Sequence, residues 1–381
     1  MMSSECLEFQ YRLITVLACL SLFLNVVLII LIHSKSPKKL GPYKHLMNFI
    51  SIFEVCYSII DYLVVPVMHS YGTSFFIMTP LIHSFFDKSK ATVMQAVWCA
   101  FFGSSMAVFG IHFIYRYLAV SGSEKISTFK GYKIVFWIIV PVIFGAIWGT
   151  ISYLCCGPKE VMTNYIRNDL MSEFNLTVDE VSYMGPYFYT ENGDFKLDID
   201  VITTLIGAMG IMVLWLYIYV YNIVNTFQGT SLTTIFFFGW KCCKSLSNVH
   251  AKSSGFSKQY RALQRQFFIA LVLQTVIPIT LMHLPLLITY SGALFNIRLG
   301  RISNLTSITI ALYPVIDPLP TIFIIKNYRE GLKKFLAASV KICQVKKIKE
   351  VAKVGNADDA SSRRVSKLPE EDNVSVWGEI L

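Results

Sequence analysis

Charge is scarce in this 381-residue chain: 15% of its residues are Asp, Glu, Lys or Arg, where a soluble domain carries roughly 25%. With 54% apolar residues and a mean hydropathy of +0.53, that shortage excludes an ordinary soluble globule. The nine cysteines contain no C-x-x-C pair and no metal-ligand spacing. No His-rich set and no nucleophile motif sits at one depth, so neither an enzyme nor a bound metal or cofactor is expected. There is no internal repeat, and no pair of broken spans in corresponding halves, which argues against a transporter. No filter-like loop or ring of charge argues for a channel. A cleaved signal peptide is not expected either, because residues 1–11 carry Glu5 and Glu8 and the apolar run from Leu13 exceeds a signal core.

What the chain does have is seven long apolar stretches, at 13–32, 46–67, 91–120, 133–156, 201–224, 267–291 and 303–325. Each is close to the 20 or so residues that cross a bilayer at about 1.5 Å per residue. With the N-terminus outside, the inner loops, their span ends and the tail hold 26 of the 34 Lys and Arg. That bias predicts an N-out, C-in orientation, and it makes the net charge of +10 a topology signal rather than a sign of nucleic-acid binding. The longest outer loop, about 157–200, opposes it with nine acids against three bases. The expected fold is therefore an all-α membrane protein, a seven-transmembrane helix bundle. A short outer N-terminus (1–12) precedes the membrane domain (13–325). An amphipathic helix (326–348) follows, built on Tyr328, Leu332, Phe335, Leu336 and Val340. A polar tail (349–381) ends the chain and is expected to be disordered.

Ionisable residues inside spans cost about 2.5–3.5 kcal/mol at the helix centre and mark functional positions. Depths counted along the helices place Asn25, Glu54 and Asp317 at one level, about 10–13 Å from the inner face. They form either a polar cluster able to switch between two packings, around a proton, Na⁺ or water, or three separately satisfied side chains. Pro318 follows Asp317, and Pro314, Pro320, Pro278 and Pro285 also fall in the sixth and seventh spans, where proline frees a carbonyl and kinks the helix. Asp61 lies about 10 Å nearer the outside. It either lines an outward pocket, with Gln95, Cys99 and His283, or pairs with a tyrosine hydroxyl. His112 and Arg116 share a face of the third helix near its inner end. Arg116 either snorkels to headgroups or holds an inactive state and contacts a partner protein there. Cys155 and Cys156 end the fourth span, within reach of a disulfide to Cys99.

Modification signals are few. Asn175-Leu176-Thr177 is a glycosylation acceptor on the expected outside. Asn304 begins the seventh span too close to the bilayer, and Asn373 lies in the inner tail. Ser366, after Arg363-Arg364-Val365, fits a basic-directed kinase site, and Cys343 is a palmitoylation candidate. The third inner loop (225–266) has six bases and no acid, yet holds the apolar patch Thr233–Trp240.

Several separated motifs resemble the nematode serpentine chemoreceptors of the str/srj type. They are Leu40-Gly41-Pro42-Tyr43-Lys44-His45-Leu46-Met47, Tyr115-Arg116-Tyr117, Gln274-Thr275-Val276-Ile277-Pro278, and Pro314-Val315-Ile316-Asp317-Pro318-Leu319-Pro320 with Asn327-Tyr328-Arg329. The resemblance covers about residues 10–340. It implies a G-protein-coupled receptor in the plasma membrane of a sensory cilium on a chemosensory neuron. It also implies a small odorant or soluble ligand and a heterotrimeric G protein as partners. Arg116 and Tyr117 take the place of the Arg-Tyr of the rhodopsin-like motif, but Tyr115 stands where that motif has an acid. The stretch 227–250 looks longer than the family's third inner loop. A multi-span transporter or a ligand-gated channel is the alternative to a receptor.

Overall fold

A computed structural model describes residues 4–37, 40–121, 123–188, 200, 258–300, 302–338, 341 and 344. Among them are six helices long and apolar enough to cross a membrane: Leu7–Lys35, Tyr43–Val64, Lys88–Arg116, Gly131–Cys156, Ala262–Leu294 and Ile302–Ile324. The expected fifth span (201–224), the Thr233–Trp240 patch, Cys343 and Ser366 lie outside the described residues. The chain is an all-α membrane helix bundle.

The helices expose many apolar residues while they bury polar ones. Phe9, Val16, Phe23 and Val26 of α1 (Ser4–Lys35) are exposed, as are Val135, Phe136, Val142 and Ile143 of α4 (Ile134–Cys156). Ser21, Asn25, Ser51, Glu54, Ser58 and Asp61 of α1 and α2 (Tyr43–Val64) are buried. Water would penalise exposed apolar stripes of this size, whereas lipid solvates them. The most enclosed helix is α3 (Lys88–Ser121). It meets α4 at Gly145 and Gly149, where an added Cβ would lie 2.5 Å and 2.8 Å from the carbonyl oxygens of Ala100 and Ala96. Between two apolar helices, close approach of this kind supplies the packing that hydrophobic burial cannot.

Prolines set the breaks. After α6 (Lys258–Pro278) the chain makes a wide π-type turn, Ile279–His283, and resumes as α7 (Leu284–Leu294). The last span is divided into α8 (Ile302–Ile316) and α9 (Pro318–Ile324), with Asp317 as the N-cap residue of α9. A further helix, α10, runs over residues 326–338, within the segment expected to be amphipathic.

The end of the bundle that carries the N-terminus has a feature the hydropathy pattern does not predict. The second helix stops at Val64, with Val65 at φ 46, short of the expected boundary at residue 67. The next residues build a three-stranded antiparallel sheet, β1 (Val67–Tyr71), β2 (Ser74–Pro80) and β3 (Val181–Met184). The β1–β2 turn places Gly72 at φ +52, where a Cβ would also strike the Tyr165 hydroxyl. Helix α5 (Glu160–Asp169) covers the sheet through Met162 and Ile166, which pack with Val67, Phe76 and Met78. His69 on β1 and Asp169 at the end of α5 meet at 2.9 Å, both buried.

The sheet is tied to the bundle by its edge. The Met68 and Ser70 backbone N–H groups donate to the hydroxyls of Ser307 (2.7 Å) and Ser303 (3.0 Å) on α8. Four helical residues rise about 6 Å and two strand residues about 6.6 Å, so the two hydroxyls match the two N–H groups. This covers a strand edge that would otherwise be open to pairing.

Replacing Gly149 with Leu places a branched side chain against the Ala96 carbonyl. Overpacking of this kind costs about 1–3 kcal/mol, so a clear fall in the detergent-solubilised melting temperature is expected. The neighbouring Thr150→Ala, on the exposed face of the same helix, should be nearly neutral. An unchanged melting temperature for Gly149→Leu would contradict the close α3–α4 packing.

Candidate functional site

The interior holds polar centres stacked along the bundle. In the deepest, Pro318 has no N–H, so the Pro314 carbonyl four residues earlier loses its helical donor. In hydrocarbon such a group must be satisfied from elsewhere. It accepts from the Ser21 hydroxyl (3.0 Å) and from Asn25 Nδ2 (3.0 Å), both on α1. Ser21 also meets Ser58 of α2 at 2.6 Å, so three spans join at one carbonyl.

The two acids lie against this joint. Asp317 Oδ2 accepts from Gln274 Nε2 of α6 at 2.8 Å, and Glu54 Oε1 accepts from the Tyr313 hydroxyl at 3.4 Å. Glu54 is also within electrostatic reach of Asp317. The structure thus brings together Asn25, Glu54, Asp317 and the Pro318 break, all buried, and adds Ser21, Tyr313 and Gln274. Among the described residues the Oδ1 atoms of Asn25 and Asp317 have no partner, which leaves acceptor capacity for a proton, water or cation.

Asp61 does not pair with a tyrosine hydroxyl: its Oδ1 accepts from the Trp98 indole N–H at 2.8 Å. Gln95 is buried among structural partners. Its Nε2 donates to Thr79 Oγ1 (3.0 Å) and the Ser182 carbonyl (3.1 Å), which fastens the sheet to α3. Cys99 is buried, and among the described residues Cys99, Cys155 and Cys156 form no disulfide. His283 lies in the π-type turn with its ring edge-on to Phe102, 4.9 Å between centroids.

At the end opposite the sheet, Arg116 is 1% exposed and so does not snorkel. Its guanidinium stands 3.5 Å from the Tyr43 ring centroid and 4.7 Å from that of Phe267. Its Nη1 donates to Gln264 Oε1 at 2.7 Å. Among the described residues no acid pairs with it, and its Nε and Nη2 have no partner, in keeping with Tyr115 at the preceding position. His112 reaches the other side of Tyr43, with Nδ1 3.4 Å from the hydroxyl. Tyr328 closes the cluster from beyond the last span: its ring packs on Phe267 and its hydroxyl meets Ser36 at 2.7 Å. Burial pushes the Tyr328 phenol up to about 12. Arg116, on α3, is therefore clasped by α2 and α6. Gln264, Tyr43 and Phe267 carry no signal of this role in the sequence, since a glutamine among bases and aromatics in apolar runs are common.

Asn175 is exposed at the sheet end, in a left-handed turn (φ 56). Its sequon partner Thr177 forms a capping box with Glu180, whose carboxyl is held below its usual range by the Thr177 backbone N–H and hydroxyl. Asn304 is buried.

A helix bundle capped by a short sheet, with a buried proline break and an arginine clasp at the opposite end, fits a serpentine membrane receptor. The family model for the serpentine type 7TM GPCR chemoreceptor Str matches residues 10–230 and 215–333. The chain belongs to this family, which is not enzymatic. The G-protein coupled receptor str-217 of Caenorhabditis elegans is 35% identical over 333 residues, covering 87% of this chain and 91% of the relative. The serpentine receptor class r-10 of the same nematode is 30% identical over 323 residues, 83% of this chain and 88% of its own. Its serpentine receptor class J-38 is 24% identical over 319 residues, 83% and 89%. The two family-model matches overlap beside the 227–250 stretch.

Asn25→Leu keeps bulk but removes the donor to the Pro314 carbonyl. A loss of about 1–3 kcal/mol should appear as a lower melting temperature of the purified receptor. Asn25→Asp, which cannot donate when ionised, should not restore it.

Proposed function

We propose that the chain is a chemosensory receptor that takes up a small extracellular molecule at the sheet end and signals through a heterotrimeric G protein at the basic end. In this reading it sits in the plasma membrane, N-terminus outside, in the sensory cilium of a chemosensory neuron. The observation that carries the proposal is the Arg116 clasp. A buried guanidinium bonded to Gln264 and stacked on Phe267 holds the start of α6 against α3, so the basic end is closed. A partner protein needs that end open, and opening it means exchanging these contacts for its own. The closed and open packings are the two states that a ligand can select between.

The polar joint gives the ligand a route to the clasp. Gln274 ties α6 to Asp317 at 2.8 Å, and Gln264 ties the same helix to Arg116 ten residues earlier. A displacement of α6 at its proline turn is felt at both. Arg116 and Tyr117 are the residues assigned to G-protein contact. Asn25, Glu54, Asp317 and Pro318 are the switch. Ser366 and Cys343 are assigned to tail phosphorylation and palmitoylation.

Two outcomes are expected. In cells that report G-protein activation, Gln264→Leu removes a charge-assisted hydrogen bond worth about 1.5–3 kcal/mol and raises ligand-independent signalling roughly tenfold. Glu54→Gln alters the ligand-evoked response. A panel of small molecules should evoke G-protein activation with no current carried by the protein itself; current without a G protein would establish the channel alternative instead. For orientation, endoglycosidase should shift the wild-type band, and Asn175→Gln should abolish that shift while Asn304→Gln leaves it. A band insensitive to the enzyme in both would argue against an outer loop at 157–200.

A further inference from the structure

The basic end holds a cavity that the Arg116 clasp does not use. Its volume is about 390 Å³, and it is lined by Pro42, His45, Phe129, Lys130, Gly131 and Ile134. A water molecule takes roughly 30 Å³ of liquid, so the space suits a molecular group rather than a lone ion. Two parts of the chain enclose it. Pro42 and His45 belong to the start of α2, and Phe129 to Ile134 join α3 to α4. Gly131 turns this link at φ +59, and a Cβ added there would meet nothing within 4 Å. The turn is therefore made without filling the space.

Floor and rim differ in chemistry. Phe129 and Ile134 are buried. The Phe129 ring is fixed by stacking on Trp137, 4.2 Å between centroids, and by Tyr115 edge-on at 5.1 Å. His45 and Lys130 are exposed, one on each of the two enclosing parts. An ammonium only donates hydrogen bonds, and an imidazole donates at least one. The rim thus calls for an anionic acceptor above an apolar floor.

The cavity also lies at the height of lipid headgroups. Tyr132, next to Gly131, is 76% exposed, and Phe136, Ile139 and Ile143 continue from it as an exposed stripe at helical spacing along α4. A tyrosine that ends such a stripe is an interfacial anchor. Lipids that cover the stripe bring their headgroups to Tyr132, one residue from the cavity wall. Basic pockets of this kind between spans take anionic headgroups.

We infer that the cavity binds an anionic membrane lipid through a phosphomonoester headgroup, with Lys130 and His45 donating to its oxygens and Phe129 and Ile134 against its apolar part. A phosphomonoester offers three acceptor oxygens and close to two negative charges, enough for donors from two parts of the chain at once. Phosphatidylserine carries an ammonium that would meet Lys130, and its phosphodiester has fewer free oxygens. The site stands apart from the receptor reading; that it faces the inner leaflet rests on the proposed orientation.

The test uses the full-length protein in phosphatidylcholine nanodiscs doped equally with phosphatidic acid, a phosphatidylinositol monophosphate or phosphatidylserine. Native mass spectrometry counts the lipid that stays bound. The two phosphomonoester lipids should be retained over phosphatidylserine. Lys130→Gln should weaken that retention about fivefold and His45→Ala about two- to tenfold, while Lys130→Arg keeps it. Both side chains are exposed, so these variants fold. Equal retention of phosphatidylserine, or indifference to both substitutions, overturns the inference. An equal loss from Lys334→Gln, an exposed base on α10, marks diffuse attraction to this end and also overturns it. Displacement by millimolar inorganic phosphate would make the occupant a soluble anion, and the inference falls. It falls too if the variants keep the lipid and lose G-protein activation, which assigns the cavity to a partner protein. Orientation is judged separately by the glycosylation of Asn175: if that fails while the lipid pattern holds, the site stands and only its leaflet changes.

Discussion

A carbonyl without a donor cannot be left in hydrocarbon, and that constraint organises the middle of this protein. Pro318 strips the Pro314 oxygen of its helical partner, and bulk water is not at hand to replace it. The replacement comes from Ser21 and Asn25 at 3.0 Å each, so the first and last spans must pack at this height. Ser58 follows from the second span through Ser21. Once these helices are joined, Glu54 and Asp317 are brought face to face, and Gln274 carries the joint to α6. One missing N–H thus sets the positions of four spans.

The two ends of the molecule use different chemistry. At the sheet end, a short antiparallel sheet satisfies its own backbone and lends its edge to serine hydroxyls. Polar side chains there, such as Gln95 and Asp61, are consumed by structure. At the basic end, a guanidinium is kept by aromatic faces and one amide oxygen instead of a carboxylate. A cation–π contact in a desolvated site is worth about 2 kcal/mol. That is enough to bias a packing, yet weaker than a buried ion pair whose rupture costs about 3–5 kcal/mol. These contacts are therefore of a size that binding energy can exceed.

Much of this was legible in the residues. Hydropathy placed the described spans, and depth counting placed Asn25, Glu54 and Asp317 at one level, because helical rise is constant. The prolines marked both breaks. What escaped has a common cause. His69 and Asp169 are 100 residues apart, Arg116 and Gln264 are 148 apart, and no local period links such pairs. The sheet was hidden because Val67-Met68 continues an apolar run, and its strands alternate too briefly to stand out. The close α3–α4 contact had a signal in Gly145-x-x-x-Gly149, a spacing typical of apolar helices that touch. Of the two roles open to Asp61, the pairing role found an indole N–H in place of a phenol, and type alone does not separate the two donors.

The serines at the sheet edge have a mechanical side. Ser303 and Ser307 grip β1, and the helix that bears them ends nine residues after Ser307, at Ile316 beside the Asp317 break. Lid and break are thus mounted on one rigid rod. A strand that shifted to admit a guest in the proposed receptor would pull the rod with it or rupture two hydrogen bonds. In the proposed receptor, entry at the rim would reach the carboxyl pair as a displacement of this helix.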